Sequence, residues 1–152
     1  MPHPALPLTD LRVLVVENEW LTASATASAL EALGAEVVGP VQPHVRVEAL
    51  IWRERKPDGA VLDVQLGAEQ VYSLTDALIA SGVPVLLATD YPVELLPERF
   101  RTLPHVDKTV PIRELGRAAA QAFGRAADAK PAEPTTSRRP RGRARTAALS
   151  TA

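Results

Sequence analysis

The stretch RVLVVENEW, residues 12–20, joins a short apolar run to a cluster of acidic and amide side chains. Val13 to Val16 are consecutive apolar residues, which is the pattern of a strand buried on both faces of a sheet. Glu17, Asn18 and Glu19 follow directly, where such a strand would emerge from the sheet. Oxygen-bearing side chains at that point favour a cation and phosphate site, or they mark a strand that meets a helix cap.

The composition excludes several kinds of functional site. The 152 residues contain no cysteine, which excludes disulfides, thiolate metal sites and a cysteine nucleophile. The histidines, His3, His44 and His105, are far apart and lack metal-ligand spacing. No apolar run approaches the roughly 20 residues that a membrane span needs, and the N-terminus lacks a basic-then-apolar signal. We therefore expect a cytoplasmic protein that has no membrane partner.

Charge divides the chain into an acidic body and a basic tail. Residues 128–152 hold six Lys or Arg and two Asp or Glu, although the whole chain has a net charge of −1. Residues 1–10, with three prolines, predict a flexible leader, and residues 11–125 predict one folded domain. Residues 126–152 predict a disordered tail rich in Pro, Ala and Arg. Its segment RRPRGRAR lacks the aromatic residues that stack on bases, so we expect non-specific contact with nucleic acid at most.

Apolar runs and helical periodicities alternate along the folded part of the chain. The predicted strands are Arg12–Val16, Glu36–Val41, Ala60–Val64, Val83–Ala88 and His105–Asp107. The predicted helices are Trp20–Leu33, His44–Arg55, Val71–Ala80, Pro92–Phe100 and Ile112–Phe123, of which the fourth is weak and bounded by prolines. This alternation predicts an α/β fold, a doubly wound, five-stranded parallel sheet with helices on both faces.

The residues at the ends of the predicted strands carry the chemistry, because the carboxyl ends of parallel strands meet at one crevice. Glu17 and Asn18 follow the first strand, Asp63 ends the third, Thr89 ends the fourth and Lys108 follows the fifth. Each group has a task in the phosphorylation of an aspartate. Asp63 would be the nucleophile, Mg²⁺ would neutralise the developing charge, and Lys108 and Thr89 would bind the phosphoryl oxygens.

Four segments together resemble the receiver domain of two-component response regulators. RVLVVENE, DGAVLDVQLG, VPVLLATDYP and HVDKTV match, in order and spacing, that family's acidic pair, phosphoacceptor strand, switch-hydroxyl strand and lysine loop. The resemblance covers about residues 11–124 and implies the (βα)5 flavodoxin-like receiver fold with strand order 2-1-3-4-5. LDVQLGAE with PVLLATDYP and LPERF is also similar to the stand-alone alphaproteobacterial receivers known by their FATGUY motif.

The resemblance assigns a phosphoacceptor and a metal site to this chain. It makes Asp63 the phosphoacceptor. It also implies that Mg²⁺ would be bound by Glu17, Asn18, Asp63 and the backbone carbonyl of Gln65. An amide at Asn18 is a departure, because the family usually has an aspartate there; the change keeps an oxygen ligand and removes a charge. The alternative reading of Asn18, given equal weight, is a helix N-cap.

The resemblance also assigns the residues that would respond to the phosphoryl group. It makes Thr89 the switch hydroxyl and Lys108 the conserved lysine. It places His105 where many members have an aromatic switch residue, although a histidine on an edge strand is more often structural. Phosphorylation would then bias a two-state equilibrium in the loops around Thr89 and on the face formed by the last strand and the helices beside it.

Two further positions carry specific expectations. Thr109 follows Lys108 where the family typically has a proline joined to the lysine by a cis bond. A cis bond before a residue other than proline costs about 2.5–4 kcal/mol, so we predict a trans bond, which could displace Lys108. Trp20 begins the first helix, and we expect it to be a partly buried packing residue.

The sequence therefore predicts a single-domain response regulator rather than an enzyme. It would accept a phosphoryl group from a sensor histidine kinase or a phosphotransfer protein, and would signal through protein contacts or act as a phosphate sink. The alternative is a pseudo-receiver, an interaction module that works without phosphorylation, and Asn18 and Thr109 favour it. A doubly wound enzyme or nucleotide binder is disfavoured because no glycine-rich phosphate loop follows the first strand.

Overall fold

A computed structural model describes residues 4–41, 55–65 and 68–128. These residues form five strands and three α-helices. The strands are β1 (Arg12–Val16), β2 (Glu36–Val41), β3 (Gly59–Asp63), β4 (Val85–Thr89) and β5 (His105–Asp107). The helices are α1 (Trp20–Ala32), α2 (Ala68–Ala80) and α3 (Ile112–Asp128). The predicted helix His44–Arg55 lies, except for its last residue, outside the described residues, as does the predicted tail beyond α3.

The five strands are all parallel and lie in the order β2-β1-β3-β4-β5. This confirms the predicted doubly wound, flavodoxin-like fold. The strand order reverses between β1 and β3, and ligands of such sheets bind at the carboxyl ends of the strands on either side of that point. The register pairs Val16 with Leu62 and Asp63 with Ala88, so the ends of neighbouring strands lie at one level.

Alternate residues of the buried strands point to opposite faces of the sheet and build two cores. In β1, Leu14 and Val16 belong to the first core, and Val13 and Val15 belong to the second. Apolar residues of α2 and of the segment between β4 and β5 complete the first core. Residues of α1 and α3 complete the second. Both faces of β1, β3 and β4 are thus covered, which fixes the strand ends in position.

The folded domain includes Leu8, so its predicted start at residue 11 is placed too late. Leu8 is fully buried in the second core. Its amide donates to the Leu33 carbonyl at 2.8 Å, just after α1 ends. Gly34, at φ +96, lies so close to this segment that an added Cβ would be 2.8 Å from the Thr9 hydroxyl. Prolines suggested a loose segment, but one buried leucine and its backbone contacts hold this turn against α1.

The segment between β4 and β5 contains two 3₁₀ turns, Val93–Leu95 and Glu98–Phe100, where the sequence predicted one weak helix. Pro97 explains the difference, because proline lacks the amide proton and disfavours helical dihedrals in the residue before it. Leu96 is accordingly extended, with ψ 151. Its side chain and that of Phe100 are both buried, so the segment packs on the sheet without forming an α-helix.

Arginine side chains hold this segment in place. Both Arg99 nitrogens that face Asp76 are 3.0 Å from its carboxylate oxygens, and the Arg99 guanidinium lies 4.3 Å from the Phe100 ring centroid. Arg101 donates to the carbonyls of Leu96 and Glu94 at 2.9 and 3.0 Å. Side chains therefore satisfy carbonyls that a helix would have satisfied through its own backbone.

Leu8→Ala tests whether the N-terminal turn belongs to the folded domain. The variant should lose about 2–4 kcal/mol of unfolding free energy, because it removes a fully buried leucine side chain. Leu6→Ala is the matched control, since Leu6 is 51% exposed, and it should change stability by less than about 0.5 kcal/mol. Urea unfolding measures the unfolding free energy of both variants. Equally small losses in the two variants would support the prediction that this segment is a flexible leader.

Candidate functional site

The Lys108 ammonium lies between two carboxylates at the carboxyl edge of the sheet. Its Nζ is 2.9 Å from Glu17 Oε2 and 2.8 Å from Asp63 Oδ2. The two carboxylate side chains are each 4% exposed and the lysine side chain is 15% exposed. Short hydrogen bonds between charged groups with so little access to water are among the stronger polar contacts in proteins. The ends of β1, β3 and β5 therefore meet in one ionic cluster, as the sequence predicted.

Backbone amides fix the other oxygen of each carboxylate. Glu17 Oε1 accepts a hydrogen bond from the Glu19 amide at 3.0 Å, and Asp63 Oδ1 accepts one from the Gln65 amide at 3.0 Å. Each acid thus bonds to the backbone two residues later in the chain, a local pattern that orients the side chain without a partner from elsewhere. One oxygen of each acid accepts a hydrogen bond from its own loop, and the other oxygen contacts the Lys108 ammonium.

Burial and pairing shift the pKa of two members of the cluster. Burial is the largest effect on Glu17 and raises its pKa. Hydrogen bonds from the Glu19 amide and from Lys108 lower this pKa, and the nearby Asp63 carboxylate raises it, so the net shift is upward. Burial alone would lower the pKa of Lys108, but its hydrogen bonds to Asp63 and Glu17 outweigh that effect and raise it. The Lys108 pairing therefore contributes stability below the ordinary lysine pKa, and this contribution is lost as the pH rises through the folded value.

Glu17→Gln tests the cost of the buried carboxylate. A raised pKa makes ionised Glu17 unfavourable to folding, so stability falls as the pH rises from the ordinary carboxyl pKa through the folded value. The variant should be more stable than wild type at pH 7 and close to it near pH 3, because Glu17 is protonated and uncharged at the lower pH. Urea unfolding at both pH values measures this, with Glu31→Gln on the exposed side of α1 as control. A variant that loses stability at pH 7 would contradict the assigned cost.

Thr89 ends β4 beside this cluster and is buried. Its hydroxyl oxygen accepts a hydrogen bond from the Tyr91 amide at 2.9 Å, and its carbonyl accepts one from the Lys108 amide at 3.2 Å. Within the described residues its hydroxyl has no hydrogen bond to Asp63 or Lys108. Thr89 is thus linked to Lys108 through the backbone. The contact with the half-exposed Tyr91 was not anticipated from the sequence.

The loop after β1 differs from expectation at two residues. The N-cap of α1 is Glu19, with no side-chain capping bond, so the interpretation of Asn18 as the helix cap is wrong. Asn18 is exposed, and its side chain makes no hydrogen bond within the described residues. Trp20 is 75% exposed, which corrects its prediction as a partly buried packing residue. The loop therefore presents an amide and an indole beside the ionic cluster.

The Lys108–Thr109 peptide bond is trans, as predicted, since Gly39–Pro40 is the single cis bond in the described part of the chain. Lys108 nonetheless reaches both carboxylates. Asp107 Oδ1 accepts hydrogen bonds from the Thr109 amide at 2.8 Å and from the Thr109 hydroxyl at 2.7 Å. These two bonds, the amide first, lower the pKa of Asp107. This pair was not predicted from the sequence, although an aspartate side chain often accepts a hydrogen bond from the backbone amide two residues later in a turn.

His105 lies away from the ionic cluster. It begins β5, whereas Lys108 follows the other end of that strand. The side chain is exposed, and its Nδ1 is 3.4 Å from the Leu103 carbonyl oxygen. It lines an open cavity of about 560 Å³ together with Arg101 and Gln121. Its switch role stays a prediction.

The residues around Lys108 carry oxygen donors of the kind that Mg²⁺ takes. In residues 4–41, 55–65 and 68–128, no group of three or more His, Cys, Asp or Glu could hold a metal ion. Mg²⁺ needs fewer protein ligands, because it is usually held by one or two carboxylates together with water and substrate phosphate. Glu17 and Asp63 supply two carboxylates, both of which contact the Lys108 ammonium. Asn18 follows Glu17 in the loop after β1, and Gln65 lies two residues after Asp63 in the loop after β3.

Comparison with solved structures identifies the class of protein that this fold defines. SdrG from Sphingomonas melonis Fr1 is 31% identical, and the match covers 75% of this chain and 95% of SdrG with a TM-score of 0.60. The BeF3-activated conformation of SdrG from Pseudomonas melonis Fr1 matches at 30% identity over 79% of this chain and 99% of that one, with a TM-score of 0.62. No family model and no curated protein matches the chain.

A response regulator receiver protein from Burkholderia phymatum shares the fold at 18% identity, covering 76% of this chain and 96% of that one with a TM-score of 0.63. The response regulator PhyR from Brucella abortus is 26% identical, with a TM-score of 0.63 over 80% of this chain and 51% of PhyR. The chain belongs to the family of response regulator receiver domains, and its role is in response-regulator signalling. Its FATGUY subtype stays a prediction. Among the described helices, none has the length and apolar character to cross a bilayer.

Proposed function

We propose that this chain accepts a phosphoryl group on Asp63 from a histidine kinase or a phosphotransfer protein. The observation that carries the proposal is the buried contact of Lys108 Nζ with Asp63 Oδ2 at 2.8 Å. A carboxylate oxygen is the nucleophile in the formation of an aspartyl phosphate, and Lys108 places a positive charge directly beside it. The same cation lies where it could bind the oxygens of an incoming phosphoryl group.

In this step an oxygen of the Asp63 carboxylate bonds to the phosphorus of a phosphohistidine. The phosphorus–nitrogen bond breaks, and the imidazole nitrogen leaves with its electron pair and takes up a proton. Lys108 would then pair with the new phosphoryl oxygens. Because the Thr89 hydroxyl oxygen already accepts the Tyr91 amide, its own proton is directed to another acceptor, for which a phosphoryl oxygen is suitable.

The residues that would hold Mg²⁺ are Glu17, Asp63, the Gln65 carbonyl and the Asn18 amide. When bound, Mg²⁺ would neutralise negative charge on the phosphoryl oxygens. Lys108 contacts the same two carboxylates that would hold the metal ion. Its ammonium would therefore shift as the charges around it change. Asp63, Thr89 and Lys108 together supply the nucleophile and two phosphoryl-binding groups.

Exposed apolar residues next to the cluster suit contact with a partner protein. Trp20 and Leu21, at the start of α1, are 75% and 73% exposed. They are the third and fourth residues after Glu17. A partner that brings a phosphohistidine to Asp63 would therefore cover them. Surface aromatic residues near a site of this kind are typical of protein-binding positions.

Phosphorylation can be tested with a small phosphodonor such as acetyl phosphate in the presence of Mg²⁺. Intact mass should show a gain of one phosphate in wild type and none in Asp63→Asn, because the amide removes the nucleophile. Asp90→Asn is the matched control, since Asp90 is an exposed aspartate beside Thr89, and it should keep the gain. The absence of a gain in wild type at every Mg²⁺ concentration would overturn phosphorylation of Asp63.

A pseudo-receiver is the second candidate, and Asn18 favours it. The residue is exposed, carries no charge and makes no side-chain hydrogen bond within the described residues. Glu17 and Asp63 are the acids that contact Lys108 in the described part of the chain, and Lys108 offsets part of the negative charge that they would offer a divalent cation. Such a domain would bind its partner through the fold and would not be phosphorylated.

Asn18→Asp tests whether residue 18 contacts the cation, and it follows the phosphodonor experiment that separates the two candidates. The added carboxylate should tighten Mg²⁺ binding by about 1–2 kcal/mol, as expected for a charged contact in place of a neutral one. Isothermal titration with Mg²⁺ measures the change, and Asn18→Ala is the control that removes the amide. Equal affinities for wild type and Asn18→Asp would show that this position does not contact the cation.

A further inference from the structure

We propose that Asp107 and Thr109 are positioning residues for Lys108, which hold its ammonium at the phosphoacceptor carboxylate through a hydrogen-bonded turn. The inference deepens the proposed function and rests on it, because Lys108 is the group that would bind the phosphoryl oxygens. Neither residue touches Asp63 or Glu17 through a hydrogen bond or ion pair in the described part of the chain. Their action is on the backbone to either side of the lysine.

The turn is closed by three hydrogen bonds that surround Lys108. Asp107 Oδ1 accepts from the Thr109 amide at 2.8 Å and from the Thr109 hydroxyl at 2.7 Å. The Val110 amide donates to the Asp107 carbonyl at 3.2 Å, which completes a turn over residues 107–110. Lys108 occupies the second position of this turn, so the conformation of its backbone is fixed by groups on both sides.

A fourth hydrogen bond connects the turn to the sheet. The Lys108 amide donates to the Thr89 carbonyl at 3.2 Å, and Thr89 pairs with Asp107 in the register of β4 and β5. The lysine side chain is a flexible four-carbon stem with a point charge at its end. The backbone conformation of Lys108 sets the direction in which its side chain leaves the turn. That direction determines whether the ammonium reaches Glu17 and Asp63.

Thr109 makes this constraint necessary. A proline at position 109 would fix the local backbone through its ring. Threonine has no ring, and Asp107 and Thr109 are both exposed, so neither covalent geometry nor burial holds the turn. The Asp107 carboxylate supplies the missing constraint through two hydrogen bonds to one residue. The lowered pKa of Asp107, caused by the Thr109 amide and then its hydroxyl, accords with a carboxylate engaged in both.

The experiment is a double-mutant cycle on the full chain, with BeF3⁻ and Mg²⁺ as the probe. Asp107→Ala removes the acceptor, Thr109→Val removes the hydroxyl at nearly constant shape, and Asp107→Asn keeps an acceptor oxygen. Asp107→Ala should weaken BeF3⁻ binding about fivefold to tenfold and Thr109→Val about threefold, as expected for lost hydrogen bonds. Asp107→Asn should bind like wild type. Thr102→Val, at an exposed threonine outside the turn, is the matched control and should have no effect.

The cycle repeats Asp107→Ala in a Lys108→Ala background. If Asp107 acts through the lysine, its substitution should have no further effect on BeF3⁻ affinity there. An equal loss in both backgrounds, or no loss in the wild-type background, would overturn the inference. A merely structural turn would give that additive result, because its effect would not depend on the lysine.

The same variants decide the inference if wild type does not bind BeF3⁻, an outcome that would count against the proposed function alone. Urea unfolding then gives the coupling between Asp107→Ala and Lys108→Ala without any ligand. Non-additive stabilities would support the positioning of Lys108, since the contact with Glu17 and Asp63 would be lost only once. Additive stabilities would overturn it.

Discussion

The contact of one buried ammonium with two buried carboxylates is the interaction on which the arrangement of this site depends. Glu17 and Asp63 leave the sheet on adjacent strands, and each has lost nearly all contact with water. Two such acids would repel each other strongly without a cation between them. Lys108 enters from the far edge of the sheet and supplies that cation. The parallel order of the strands is what makes the meeting possible, because it brings three strand ends to one place.

The cluster is held at a cost, which is a common property of functional sites. Burial and a neighbouring acid both raise the pKa of Glu17, so its charged form is not an optimal choice for stability. One oxygen of each carboxylate accepts a hydrogen bond from its own loop, and the other contacts the lysine. A group that displaced Lys108 from one of them would therefore change the whole cluster. Such an arrangement suits a site that responds to added charge.

The sequence predicted the sheet well and the loops less well. Buried parallel strands are nearly continuous apolar runs, so β1 and its neighbours could be located, and Asp63 and Lys108 could be assigned to one edge. Leu8 was missed because a single buried residue among prolines has no periodicity. Trp20 was misjudged because an aromatic residue is usually buried, although its exposure depends on what covers the helix start.

The remaining errors concern short-range contacts that no periodicity records. Pro97 was visible in the sequence and explains the two 3₁₀ turns, but the periodicity of the apolar residues favoured one weak helix there. The bonds between Asp107 and Thr109 were not predicted, and they keep Lys108 in place although the trans bond was expected to displace it. Patterns of apolar residues determine where elements lie, whereas individual side-chain bonds determine how the connecting loops are shaped.

The arginine-held segment between β4 and β5 makes one face of this domain responsive to ionic strength. Arg99 and Asp76 are about half exposed, and charge pairs of that kind weaken as dissolved ions screen them. The pairs of Lys108 with Glu17 and Asp63 are mostly buried, so bulk salt screens them much less. Salt therefore acts unequally on the two regions: it loosens the covering of the sheet next to β5 while the centre of charge at the strand ends keeps its geometry.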